Sequence, residues 1–109
     1  MTTELSVVEE FDWNVVILSL VRTLVGNISA NMHAVGLDWT VAPGGIDARL
    51  TFVLYEESEE DREEIEYIGF EFLAATPYPI EVEEAVIVDN DPPADLGLPG
   101  IIVFRRKSD

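Results

Sequence analysis

The residues with the most chemical potential lie in one short run, residues 56–66, which holds eight acids and one arginine. Paired carboxylates can act as a general acid and base when burial or a like charge raises the pKa of one of them. Glu63, Glu64 and Glu66 instead belong to a solvated helix turn, without the apolar surroundings that acid–base catalysis by a carboxylate pair needs. The run therefore indicates a charged surface and not a catalytic pair.

Histidine chemistry and metal binding find little support elsewhere in the chain. The only histidine is His33, there is no cysteine, and no serine or acid lies at a recognised catalytic spacing, so we expect a structural or surface role for it. The segment Asp89-Asn90-Asp91 with Asp95 is weakly similar to a calcium-binding loop, but prolines stand where such a loop needs ligands and a glycine. We therefore predict no metal, no cofactor and no enzymatic activity.

The net charge restricts the kind of partner. A formal charge of −16 repels nucleic acid and anionic lipid and attracts cationic proteins. The basic cluster Arg105-Arg106-Lys107 is too small against this total to bind nucleic acid. We expect a protein partner, and neither nucleic acid nor a membrane.

Size and composition predict one soluble domain. The chain has 109 residues, of which 48% are hydrophobic, so residues 1–109 are expected to fold around a single core. The N-terminus lacks the basic segment of a secretory signal, and the apolar stretch from Trp13 to Val25 is too short to span a bilayer. The lack of cysteine fits a reducing compartment. We therefore expect a cytoplasmic location.

The acidic run is the predicted partner-binding surface. The helix macrodipole stabilises acids in the first turn of a helix, which accounts for Glu59, Glu60 and Asp61. It does not account for Glu56 and Glu57, which precede the helix, or for the acids further along it. The predicted partner-binding residues, with two acids added from a later loop, are Glu56, Glu57, Glu59, Glu60, Asp61, Glu63, Glu64, Asp89 and Asp91.

The elements that position these acids begin with a helix. Apolar residues at helical spacing predict a helix from Val7 to about Val25, opened by a Ser6–Glu9 capping box. Gly26 is expected to end the helix with a positive φ. The polar side chains of the following turn should hydrogen-bond its backbone groups; they are Asn27, Ser29 and Asn31.

A β-hairpin follows. Period-two alternation predicts strands over residues 35–41 and 46–54, joined by a loop of about four residues, 42–45. The register that places Val41 opposite Ile46 also places Asp38 opposite Arg49, so that two unlike charges meet on the polar face. The side chains expected on the buried face are Leu37, Trp39, Leu50 and Phe52.

The acidic run opens a second helix, which Ser58 should cap and Thr76-Pro77 should end. A third strand begins near Tyr78 and reaches Val88, and Glu83-Glu84 interrupts its alternation, which predicts a bulge or a phase shift. Residues 89–100 read as a loop, and residues 101–104 as a short final strand. The order α-β-β-α-β-β predicts an α+β two-layer sandwich, an antiparallel four-stranded sheet with two helices on one face.

Three blocks of the sequence carry a family resemblance. They are the helix-ending run Leu24–Val35, the acidic block Ser58–Glu63 and the closing block Phe104–Lys107. In this order they are similar to the small acidic immunity proteins of bacterial polymorphic toxin and contact-dependent growth inhibition systems. The chain departs from the pattern with Ala30 in place of proline, His33 in place of arginine and Phe104 in place of tyrosine.

The resemblance implies a cytoplasmic protein that binds and neutralises a cognate toxin domain, without identifying the toxin. Toxins that cut nucleic acid carry basic clefts, so the acidic run favours a basic, nuclease-type toxin as partner. The alternative function is a non-enzymatic structural or adaptor module that self-associates through an exposed edge strand or through the apolar terminal strand. The oligomeric state is left open.

Overall fold

The computed structural model describes residues 12–107, which form two helices and one four-stranded sheet. The elements are α1 (Trp13–Leu24), β1 (Met32–Ala42), β2 (Gly45–Leu54), α2 (Glu59–Ala75), β3 (Ile80–Val88) and β4 (Ile101–Arg105). In the sheet the strands lie in the order β3-β2-β1-β4. Within this part of the chain, no helix is both long and apolar enough to cross a membrane.

The sheet is mixed, so the prediction of a fully antiparallel sheet is wrong. β1 is antiparallel to both β2 and β4, whereas β3 is parallel to β2. The connection between β2 and β3 contains the whole of α2. A helical crossover of this length brings the chain back to the end of the sheet where β2 starts, so that β3 runs parallel to β2. The α+β class, with two helices and four strands, is confirmed.

α1 begins later than the sequence pattern predicts. Asp12 has an extended backbone (φ −93°, ψ 101°), and its side chain accepts a hydrogen bond from the Asn14 backbone N–H at 3.0 Å. The prediction of one continuous helix from Val7 is therefore wrong, because Asp12 is not helical. The predicted Ser6–Glu9 capping box lies outside the described residues. At the other end the prediction for Gly26 is confirmed, because its φ is 84°.

Both helices cover one face of the sheet. A single apolar core contains Leu20 from α1, Phe72 from α2 and Phe52 from β2, all fully buried. At the margin of this core, half-buried Trp39 stacks on Trp13 with ring centroids 4.9 Å apart. The helices bury one stripe each because their apolar residues recur at three- and four-residue spacing.

The predicted hairpin register is confirmed, and the loop is shorter than expected. Val41 lies opposite Ile46 and Asp38 opposite Arg49, but β1 and β2 extend to Ala42 and Gly45, which leaves a two-residue turn. Arg49 does not use Asp38 as its ion-pair partner. Its Nη2 lies 2.6 Å from Glu83 Oε1, because β3 places Glu83 beside Arg49 on the same face.

The bulge predicted at Glu83-Glu84 is wrong, because β3 pairs with β2 in unbroken register from Ile80 to Val88. Unbroken alternation puts Glu84 in the row that faces the helices, together with Val82 and Val86. α2 accommodates this carboxylate at Gly69, where a Cβ would overlap it. Burial is the main cause that raises the pKa of Glu84 above its usual 4.5, and the negative charges of Glu66 and Glu83 add to it.

The loop over residues 89–100 connects β3 at one edge of the sheet to β4 at the other, and it crosses the face opposite the helices. Gly36 is on that face, and a Cβ there would lie 3.1 Å from Leu98 Cδ1. Gly100 approaches the β1 backbone so closely that any side chain would overlap the Leu37 carbonyl. The loop thereby covers the part of β1 that has no large side chain of its own.

Candidate functional site

The start of the acidic run is fixed to the turn that follows α1. Asn31 Nδ2 donates to the Glu56 carbonyl at 2.7 Å and to Asp61 Oδ2 at 2.8 Å. In return Asn31 Oδ1 accepts from the Glu56 backbone N–H at 3.0 Å, and its carbonyl accepts from the Tyr55 N–H. One amide side chain therefore sets the position from which α2 starts.

The other polar residues of that turn behave differently. Asn27 Nδ2 donates to the Thr23 carbonyl at 2.6 Å, so its side chain satisfies a backbone group in the last turn of α1 and not one of the turn that follows. Asn31 serves the distant segment at Glu56 and not its own turn. Ser29 Oγ is buried and has no hydrogen-bond partner within residues 12–107, so the prediction for this hydroxyl is wrong.

Ser58 caps α2 as predicted, since its Oγ accepts from the Asp61 N–H at 3.2 Å. Asp61 itself is only 8% exposed, and its carboxylate accepts the hydrogen bond from Asn31. A partner would have to break that bond to reach Asp61. We therefore remove Asp61 from the candidate surface and assign it to the support of the helix start.

Glu57 and Arg62 form an exposed ion pair at the same end of α2. Arg62 Nη2 donates to Glu57 Oε1 at 2.7 Å, and its Nε donates to the other carboxylate oxygen. These hydrogen bonds are the main reason that the pKa of Glu57 is lowered and that of Arg62 is raised. The pair reduces the net charge at this point, so most of the negative charge offered to solvent comes from the other acids of the run.

The remaining acids of the run lie on the outside of the molecule. Glu56, Glu59, Glu60 and Glu63 are exposed, and Glu64 is half-buried on the flank of the helix. Glu66, one turn further on, is also exposed. The structure thus brings the predicted acids of the run together at the start of α2, and all of them except the buried Asp61 are exposed or half-buried.

The two loop acids line different depressions of the surface. Asp89 lies at the end of β3 and lines a depression with Glu56 and Tyr55, so it extends the acidic surface. Asp91 is held by its backbone N–H, which donates to Asp89 Oδ1 at 2.9 Å. Its side chain faces another depression, which the cations of residues 105–107 line. Asp91 is therefore part of a mixed-charge region.

The pattern of acids did not identify three exposed apolar side chains on α2. Tyr67, Phe70 and Leu73 are 50%, 65% and 43% exposed. One signal in the sequence could have found them: α2 has more apolar residues than one buried stripe needs. Ile65, Ile68 and Phe72 already form that stripe, so the other apolar side chains must lie elsewhere on the helix.

His33 and the C-terminal cations serve the fold. His33 is 4% exposed, and its Nδ1 lies 2.8 Å from the Tyr55 hydroxyl. Arg106 donates to the Met32 and Ser29 carbonyls, and Arg105 donates to the Pro93 carbonyl. The structural role expected for His33 is confirmed. Among residues 12–107, no group of three or more histidines or acids is placed to hold a metal ion.

Exposed acids and aromatic side chains on one well-anchored helix are typical of a domain that recognises another protein. The comparison with known families is specific on this point: the family model described as MafI2 immunity protein matches residues 14–108, and the chain belongs to that family. The match confirms the resemblance to toxin immunity proteins. No curated protein matches the chain.

Proposed function

We propose that this protein binds a cognate toxin domain with a basic, nuclease-type surface and neutralises it in the cytoplasm. Membership of an immunity protein family supports the toxin as partner. The observation that carries the choice of surface is the acidic run, which Asn31 and Ser58 fix in place while most of its carboxylates face solvent. Polymorphic toxin or contact-dependent inhibition systems are the proposed source of the toxin.

The proposed contact is the acidic surface, defined by the exposed and half-exposed acids Glu56, Glu57, Glu59, Glu60, Glu63, Glu64 and Asp89. A nuclease must attract a polyanion, so its cleft presents positive charge to solvent. An acidic inhibitor is attracted by the electrostatic field of this positive charge, which makes association faster and the choice of partner more specific. Because the acids are exposed, their contribution should depend on salt more than that of a buried contact.

The test is the affinity for a catalytically inactive form of the cognate toxin domain, which we expect to be encoded beside this chain's gene. Reversal of Glu59, Glu60 and Glu63 to lysine should weaken binding at about 0.1 M salt, where the Debye length is about 10 Å. At about 1 M salt, where it falls to about 3 Å, parent and variant should bind almost alike. The measurement is the dissociation constant of each protein at both salt concentrations.

A matched control reverses three acids on the sheet face opposite the helices, Asp38, Asp47 and Glu81. It changes the net charge by the same amount, so a general charge effect would weaken both variants equally. The proposed contact requires the helix variant to lose clearly more affinity than the sheet variant. Equal losses would place the contact elsewhere.

The alternative, a self-associating module, has one observation in its favour. β4 is an edge strand, and its Ile101 and Ile102 are 37% and 43% exposed. Sedimentation of the isolated protein decides this alternative. A stable dimer that Ile102→Lys disrupts, combined with no affinity for the toxin domain, would favour the module over the immunity function.

A further inference from the structure

One stripe of side chains runs along the outward side of α2. It consists of Glu59, Glu63, Glu66, Phe70 and Leu73, at alternating spacings of four and three residues. Tyr67 lies beside it, four residues after Glu63 and three before Phe70. The stripe is acidic in its first half and apolar in its second, over a helix about 25 Å long. We call this set the outer stripe.

The outer stripe is not part of the core. The inward side of α2 is formed by Ile65, Ile68 and Phe72, none of which is more than 2% exposed. Phe70 keeps 65% of its surface in water and Tyr67 keeps 50%. The exposed parts of these two aromatic side chains add no stability to the fold, because apolar surface stabilises a protein only when it is removed from water.

We propose that the outer stripe is the toxin-binding surface and that Phe70 and Tyr67 are its anchors. The partner of matching chemistry is a toxin face with an apolar pocket whose rim carries lysine or arginine on one side. Glu59, Glu63 and Glu66 meet that rim, while the two aromatic rings enter the pocket. This inference deepens the proposed function and rests on it.

Charge decides between this partner and a second copy of the chain. α2 carries seven acids and one arginine, and that arginine is paired with Glu57. A two-fold contact that buries Phe70 against itself also brings two copies of this acidic helix together. Two chains of net charge −16 repel each other, whereas a cationic rim is attracted by the same acids.

The two halves of the outer stripe affect different rate constants. Exposed charges at the rim act mainly on association, because they steer the partner before contact. Aromatic rings buried at the centre of an interface act mainly on dissociation, because their desolvated contacts must be broken for the partner to leave. Loss of an anchor should therefore leave the association rate nearly unchanged.

The experiment measures binding kinetics between the full chain and the inactive toxin domain encoded beside its gene. Phe70→Ala and Tyr67→Ala should each raise the dissociation rate constant by about tenfold or more and change the association rate constant by less than about threefold. Phe70→Leu, which keeps an apolar side chain, should recover part of the loss. The control is Leu18→Ala on α1, because Leu18 is 49% exposed and lies outside the outer stripe.

The outcomes separate this inference from the proposed function. If the parent binds and both aromatic variants match Leu18→Ala, the outer stripe is not the interface although the immunity function stands. If the parent does not bind, the immunity function fails, and this inference fails with it. If Phe70→Ala instead dissolves a dimer of the isolated chain and leaves toxin binding intact, a second copy occupies the stripe and the inference is overturned.

Discussion

Asn31 shows how one side chain can hold together two segments that are distant in the chain. Its amide connects the turn after α1 to Glu56 and to Asp61, two residues that flank the start of the acidic helix. A buried or half-buried amide that loses its partners leaves several polar groups unsatisfied. Asn31 lies in the block Leu24–Val35 that carries part of the family resemblance, and its contacts explain why an asparagine suits that position.

Replacement of Asn31 by alanine should lower the free energy of unfolding by about 1–3 kcal/mol, because the Glu56 backbone groups and the Asp61 carboxylate lose their partner. Chemical denaturation measures the loss. Asn90→Ala is the control, since Asn90 is exposed and in a loop. If Asn31→Ala unfolds at the same denaturant concentration as the control, the amide does not anchor the acidic run.

At the scale of elements, the contact between α2 and β3 is the one that sequence patterns misjudged. The acids Glu83-Glu84 in an alternating strand predict a bulge or a phase shift, whereas in the structure Gly69 makes room for the Glu84 carboxylate against the helix. The lack of a side chain at position 69 becomes meaningful only when the two elements are known to be adjacent. The alternation of residues within one strand cannot show which residue of another element lies against it.

Glu84 should make stability fall as pH rises. The pKa of Glu84 is raised in the folded protein. Its contribution to the free energy of unfolding is therefore complete below the usual pKa of 4.5 and is lost as pH rises through the raised pKa. Glu84→Gln removes this loss and should unfold at a higher denaturant concentration than the parent at pH 7, with a smaller difference at pH 4. Glu81→Gln, an exposed acid on the opposite face of the same strand, should show no such difference.

A parent and a Glu84→Gln variant with equal stability at pH 7 would contradict this account of the helix–strand contact. A change of the same size in Glu81→Gln would contradict it as well, because the effect would then follow from net charge alone. Other acids also titrate over this range, so the difference between parent and variant is the quantity to compare.

Local patterns did predict much of the fold. Alternation along residues 35–54 was sufficient for the hairpin register, because a shift by one residue would turn Leu37 and Leu50 away from the core. The Ser58 cap and the Gly26 helix end follow from local backbone chemistry. The parallel pairing of β3 and the place of β4 beside β1 depend on distant contacts that neither strand encodes by itself.

The candidate site was also predicted only in part. A run of acids is visible in sequence, but the burial of Asp61 depends on Asn31, which is thirty residues away in the chain. The exposure of Tyr67 and Phe70 depends on which side of α2 meets the sheet. The sequence was therefore sufficient to predict that the acids lie at the surface. It was not sufficient to predict that the apolar residues of the outer stripe do.

At the scale of the whole molecule, charge and family membership lead to the same function. A chain of net charge −16 is suited to a cationic partner, and the family is one of immunity proteins. The outer stripe joins these two features, since it presents acids and aromatic rings on one helix. The central claim is that this helix surface neutralises the toxin.

The most direct test is survival of bacteria that produce the active toxin domain encoded beside this chain's gene. Cells that also produce the parent chain, or the variant with Asp38, Asp47 and Glu81 reversed to lysine, should grow. Cells that produce the variant with Glu59, Glu60 and Glu63 reversed, at equal protein level, should lose most of that protection. Full protection by the helix variant, or no protection by the parent, would contradict the claim.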